Sequence, residues 1–128
     1  MGIEENKSIV QKIHNGELDL LEALADDVVW TIQGFRSFHG KQEFIQELYT
    51  PMMNLMESMG KVGITNMIAE DDQVTVEAIA EDRLTKKGKS YNNIYCVIYK
   101  FRNGKITQII EYSDTAMAKE VLPELFSK

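Results

Sequence analysis

Apolar residues recur along this chain with two different periods, and the change from one to the other separates helices from strands. Between Glu4 and Asn15 the positions Ile9, Val10 and Ile13 fall on one stripe, the spacing of an amphipathic helix that Gly16 ends. Leu18, Leu21 and Leu24 carry the helical spacing into a second, shorter helix closed by Asp26-Asp27. Val28 to Gln33 reads as a first strand, and Gly34 to Gly40 as a loop carrying Phe35 and Phe38. From Lys41 to about Met59 an apolar face of Phe44, Ile45, Leu48, Met52, Leu55, Met56 and Met59 predicts a long helix. Pro51 should kink or split it near Thr50, because proline lacks the amide hydrogen and clashes with the preceding turn.

Beyond Met59 the period becomes two. Val62 to Ala69 and Val74 to Arg83 form a hairpin around Glu70-Asp71-Asp72-Gln73. In its second strand Val74, Val76, Ala78, Ala80 and Asp82 share one face, and Thr75, Glu77, Ile79, Glu81 and Arg83 the other. The first set, small and apolar until Asp82, is the core face. Tyr91 to Phe101 and Ile106 to Ser113 are two longer antiparallel strands, joined where Gly104 supplies the positive φ of a short hairpin loop. Tyr95, Val97 and Tyr99 lie on one face of the first, Ile94, Cys96 and Ile98 on the other. A sheet with a single buried face alternates more cleanly, so the second face has the make-up of an interface. Asp114 is placed to cap a last helix, Thr115 to Phe126, whose final turn Pro123 weakens. Helices gathered on one face of a mostly antiparallel sheet make an α+β domain.

At 128 residues the chain is one domain, 1–128, with 44% hydrophobic and 27% charged residues, an ordinary globular balance. Its net charge of -6 provides no basic field for phosphate backbones or anionic lipid, so neither nucleic acid nor membrane is an expected partner. The N-terminal MGIEENKSIVQKI has no long apolar run, which points to a cytoplasmic protein. Cys96 is alone and mid-strand, where a buried inert thiol is the default. His14 and His39 lie apart, without metal-ligand spacing, and read as surface or loop residues; no cofactor is expected. The residue that stands out is Glu111, an acid flanked by Ile109 and Ile110 in the last strand.

Several stretches together resemble the SnoaL-like branch of the NTF2-like superfamily. They are Asp26-Asp27-Val28-Val29-Trp30, Gly40-Lys41 leading into a helix, Gly88-Lys89-Ser90-Tyr91-Asn92, Phe101-Arg102-Asn103-Gly104-Lys105-Ile106, and Glu111-Tyr112-Ser113-Asp114-Thr115. The resemblance implies a cone-shaped α+β fold, in which a strongly curved sheet wraps helices around an apolar pocket, and a homodimer formed through the sheet face. On the family's pattern the cone is lined by Val28, Trp30 and Ile32, by Val76, Ala78 and Ala80, by Tyr95, Val97 and Tyr99, and by Ile109 and Glu111, with Ile9 and Ile13 closing it. Aromatic and aliphatic walls with one acid are the usual make-up of a site for an apolar small molecule.

The same resemblance argues against two activities. The epoxide-hydrolase members use an Arg, an Asp and a last-strand acid, positions that fall here on Ala78, Ala80 and Glu111; their water-holding Tyr and Asn fall on Trp30 and Ile32. The ketosteroid-isomerase base falls near Ile32 and its protonated acid near Val97. Only the polyketide-cyclase pattern, a last-strand acid in an apolar pocket, is compatible with Glu111. Three readings follow: an enzyme in which Glu111 moves a proton, a non-catalytic carrier or sensor of an apolar ligand, and an interaction module that uses its sheet face. His39, beside Phe38 and Gly40, is a loop residue or a second proton carrier.

Overall fold

In the computed structural model, which describes residues 2–126, two tight turns set four neighbouring strands of one curved sheet. Asp71, at φ 52°, turns β4 (Lys61–Glu70) into β5 (Gln73–Glu81). Asn103 and Gly104, at φ 51° and 79°, turn β7 (Ile94–Arg102) into β8 (Lys105–Ser113), the left-handed pair that matches strand twist in a two-residue hairpin. β1 (Leu24–Ile32) then pairs parallel with β8 and antiparallel with β2 (Arg36–His39). The resulting order is β2-β1-β8-β7-β5-β4, with a separate two-stranded sheet of β3 (Met56–Ser58) and β6 (Leu84–Thr85).

Helices cover the inner face. α1 (Ile3–His14) packs across β4 and β5, burying Val10 completely. Ala78 and Ala80 of β5 are also buried, small side chains on the strand that this helix crosses. The short α2 (Leu20–Ala23) leads directly into β1. α3 (Lys41–Phe44) packs on β1 and continues through a π-helical turn (Ile45–Tyr49) into α4 (Thr50–Leu55). The tail forms α5 (Thr115–Val121) and α6 (Pro123–Phe126). Asp114 caps α5, its Oδ1 accepting from the Met117 N–H at 3.1 Å.

Three boundaries differ from the sequence reading, each for a physical reason, while the expected split at Pro51 is present. Asp26-Asp27 does not close a helix; the pair lies in β1, where the register with β8 shifts, and Asp27 accepts two bonds from Arg102 at 3.0 and 3.2 Å. Part of the expected Gly34–Gly40 loop is a strand, because Arg36–His39 finds partners in β1. The long helix stops at Leu55 rather than Met59, since Met56 and Ser58 pair with β6. Pro51 splits it by way of the π-helical turn, with the proline in the first turn of α4, where its missing N–H costs nothing. Cys96 is half-buried on the outer face, not sealed in the core.

Candidate functional site

A cavity of about 490 Å³ lies between the inner face of the sheet, the end of α1, the broken helix and the tail. Its size is that of a small-molecule site. The walls are apolar for the most part: Ile13 and Leu20, Ile32 and Val97, Leu48 and Met52, Leu122 and Leu125 all reach it. Asn15, Tyr49, Lys61 and Ser113 also border it, and three hydrogen-bonded polar groups are built into its wall.

The first is Glu111. Period-two alternation along β8 turns Ile109 and Glu111 inward, and cross-strand pairing sets Glu111 between Val97 of β7 and Ile32 of β1. Its Oε1 accepts one hydrogen bond, from Trp30 Nε1 at 3.3 Å. The Trp30 ring is held by stacking on Phe44, with centroids 4.3 Å apart and planes 11° from parallel. Protein atoms enclose the carboxyl and its remaining exposure is to the cavity. Burial pushes its pKa above the ordinary carboxylate value, opposed in part by the Trp30 hydrogen bond and the charge of Arg83.

The second is His14, at the C-terminal end of α1. Its Nδ1 lies 2.7 Å from the Val62 carbonyl and its Nε2 2.9 Å from the Tyr99 hydroxyl. A carbonyl only accepts, so Nδ1 carries the proton; in the neutral ring Nε2 then accepts from the Tyr99 O–H. Burial holds the His14 pKa below its usual value, and the charge of Arg83 adds to that, against the Val62 bond. The ring is therefore neutral and fully engaged. Tyr99 is in turn pushed well above the usual phenol range by burial and by Glu111.

The third is a chain of donors on Arg83. Nε donates to the Met59 carbonyl at 2.8 Å and Nη1 to the Tyr95 hydroxyl at 2.9 Å. Tyr95 and Tyr91 line the same wall of the cavity. Fully buried Asn93 donates from Nδ2 to the Tyr91 hydroxyl at 3.2 Å and to the Asp114 carbonyl at 3.0 Å, while its Oδ1 accepts from the Ile94 and Asp114 N–H groups. Burial raises the pKa of both Tyr91 and Tyr95, so both stay protonated.

The structure thus brings Ile13, Trp30, Ile32, Tyr95, Val97, Tyr99 and Glu111 of the sequence-predicted set around one cavity. Ala78, Ala80 and Ile109 do not line it. All three face inward as their parity requires, but they are buried in the core behind its wall. His39 is exposed, its backbone N–H bonded to Glu43, and it stands outside the cavity.

Three polar residues of the site escaped the sequence reading. His14 follows Ile13 on α1, so it reaches the cavity from beside the apolar stripe. Tyr91 shares the parity of Tyr95, Val97 and Tyr99 in the stretch read as a strand, and that parity was the signal for it, although β7 itself begins at Ile94. Arg83 had outward parity, but β5 ends at Glu81 and Asp82 takes φ 58°, which reverses the direction of the next side chain. An Asp just past an alternating run is the signal that marked this break. Among the described residues no group of His, Cys, Asp and Glu is arranged to hold a metal ion, and no helix is long and apolar enough to cross a membrane.

Comparison with solved structures gives a consistent fold. An NTF2-like protein of unknown function from Burkholderia pseudomallei superposes with a TM-score of 0.75 at 22% identity, covering 95% of this chain and 98% of that one. A candidate isomerase from Bacillus subtilis gives 0.74 at 17% identity over 96% of each chain. A candidate SnoaL-like polyketide cyclase from a Jannaschia species gives 0.73 at 13% identity, covering 95% and 94%. No functionally curated protein matches the sequence significantly. These likenesses establish the NTF2-like fold, a curved, mostly antiparallel sheet around a pocket, as the resemblance implied. Residues 13–109, which hold most of the sheet and the cavity lining from Ile13 to Tyr99, match the SnoaL-like domain, and the chain belongs to that family.

Proposed function

We propose that this protein is an acid/base enzyme of isomerase or cyclase type, in which Glu111 moves a proton on an apolar, oxygen-bearing small molecule. The observation that carries the reading is a carboxyl group in an apolar cavity, with a single hydrogen-bond donor behind it and open space in front. Burial brings its pKa toward neutrality, where a carboxyl both accepts and returns a proton efficiently. In a ketone seated between Trp30 and the tyrosines, Glu111 takes the proton from the carbon next to the carbonyl. The electrons move to the carbonyl oxygen as an enolate, which a tyrosine hydroxyl stabilises. Protonated Glu111 then returns the proton to the same or a neighbouring carbon. The isomerase and cyclase descriptions of two structural neighbours support a reaction of this kind.

A carrier without chemistry needs the same walls, and one observation favours it: His14 uses both ring nitrogens internally and offers no second proton carrier. Deuterium uptake separates the two readings. Compounds found by thermal shift among ketones, phenols, lactones and polyketide-like aromatics are incubated in heavy water with the wild type and with Glu111→Gln. Wild type should exchange the activated carbon position, and the variant should lose roughly 10²- to 10⁴-fold in rate while still binding. Undiminished exchange by Glu111→Gln would overturn the proposal; no exchange by bound wild type makes the protein a carrier.

We infer further that the chain works as a homodimer joined through the outer sheet face. Ile79 pairs with Ile94, Cys96 with Tyr112 and Ile98 with Ile110 across adjacent strands, and Ile94 is 59% exposed. A two-fold interface brings each patch onto its own copy, so any net charge on it would repel itself. The six residues of these pairs carry no charge on a chain of net charge -6, and Glu77, which pairs with Cys96 on the same face, is engaged by Asn66.

A further inference from the structure

The chain has three arginines, and they are used differently. Arg36 pairs with Glu43 and Glu47, and Arg102 with Asp27. Arg83 is half-buried in the wall of the apolar cavity, and among the described residues no carboxylate lies within ion-pair distance of it. Its charge is felt by Glu111 and His14, which places it among the polar groups of the site, yet it touches neither. A guanidinium withdrawn from water without a counter-charge is costly unless something else supplies the charge.

Donor counting gives the same answer. Guanidinium has five N–H groups and no acceptor. One goes to the Met59 carbonyl and one to the Tyr95 hydroxyl, so three are left over. The Tyr91 and Tyr95 hydroxyls each hold one proton, and in the bonds they make each oxygen accepts, Tyr95 from Arg83 and Tyr91 from Asn93. Neither Arg83 nor Asn93 can accept either proton through the groups that touch these oxygens, since both donate there. Both hydroxyl protons are therefore left for a ligand in the cavity that Arg83, Tyr91 and Tyr95 all line. The assembly is also firmly built. The Arg83 backbone N–H donates to Asn92 Oδ1 at 3.0 Å, and its carbonyl accepts from the Tyr91 N–H at 2.9 Å.

We propose that the cavity selects apolar monoanions, carboxylates or ionised phenols and enols, and that Arg83 with the free hydroxyl protons of Tyr91 and Tyr95 is its anion-recognising element. This rests on the reading of the cavity as a small-molecule site and narrows it. The anionic oxygen docks on the guanidinium edge and the tyrosine hydroxyls, the apolar body lies along Trp30 and the methionines, and Glu111 faces it from β8.

The test is selectivity between acids and their isosteric amides. Binding of benzoate, 2-naphthoate and biphenyl-4-carboxylate is compared by calorimetry with that of the corresponding amides, for wild type, Arg83→Lys and Arg83→Gln. Wild type should prefer an acid to its amide by roughly 10- to 100-fold, the worth of one charge-assisted hydrogen bond at such a site. Arg83→Lys should keep part of that preference. Arg83→Gln should bring it to within about twofold while leaving amide binding in place. A wild-type ratio near one, binding of no acid in the series, or a preference that survives in Arg83→Gln each overturns the inference. Should Arg83→Gln not fold, the wild-type ratio and its reduction in Arg83→Lys decide. Acid preference without Glu111-dependent exchange retains this inference and overturns proton transfer; exchange without acid preference does the reverse.

Discussion

Glu111 and His14 face one cavity, and burial acts on them in opposite senses. For Glu111 it raises the pKa above the unfolded value of 4.5, so the native state holds that proton more tightly than the unfolded chain does. The stability this gives is complete below the unfolded value and is lost as pH rises through the native one. For His14 burial lowers the pKa below 6.5, so its contribution is complete above that value and is lost as pH falls through the native one. Glu111→Gln removes the loss on the alkaline side only. The variant should therefore melt above wild type at about pH 8, with the difference closing as pH falls toward about 4, in scanning fluorimetry across buffers. A variant that melts below wild type throughout would mean that the charged carboxylate is stabilised in place. The inward direction of Glu111 was legible from period two; the neutral, doubly bonded state of His14 was not, because its partners Val62 and Tyr99 lie 48 and 85 residues away.

At the scale of elements, the cavity depends on how two short segments cross. Met59-Gly60 passes so close to the end of β5 that a Cβ on Gly60 would come within 2.0 Å of the Glu81 carbonyl oxygen. That approach presents the Met59 carbonyl to Arg83. Gly60 also has φ +58°, so alanine there meets both strain and a backbone clash. Gly60→Ala should cost about 2 kcal/mol or more in urea unfolding, whereas Gly16→Ala, at φ +78° with nothing within 4 Å, should cost about 1 kcal/mol. Equal costs would show that the crossing gives way easily. The element boundaries that sequence misplaced are of the same kind. Arg36–His39 and Met56–Ser58 have no strand signature of their own, and they become strands because β1 and β6 offer free edges. Pro51, by contrast, announced the break that the π-helical turn makes.

For the whole molecule, the two faces of the sheet carry two different tasks. The inner face makes the core and the cavity; the outer face carries the Ile79, Ile94 and Tyr112 stripe, each 45–59% exposed. If that stripe joins two copies, light scattering should give wild type twice the chain mass of 14.6 kDa, and Ile94→Glu should give the single mass. A monomeric wild type would overturn the dimer. Sequence by itself determined what depends on neighbours along the chain. Alternation told which side of β5, β7 and β8 faces inward, the Asn103-Gly104 pair set the hairpin, and Asp114 capped the tail. Tertiary structure decided what depends on breaks and distance. One positive φ at Asp82 turned Arg83 into the cavity, and long-range pairing set Trp30 against Glu111 across 81 residues. It also filled the space over Ala78, Ala80 and Ile109. Periodicity fixes a side chain's face only while the strand continues, and it carries no information about what packs above that face.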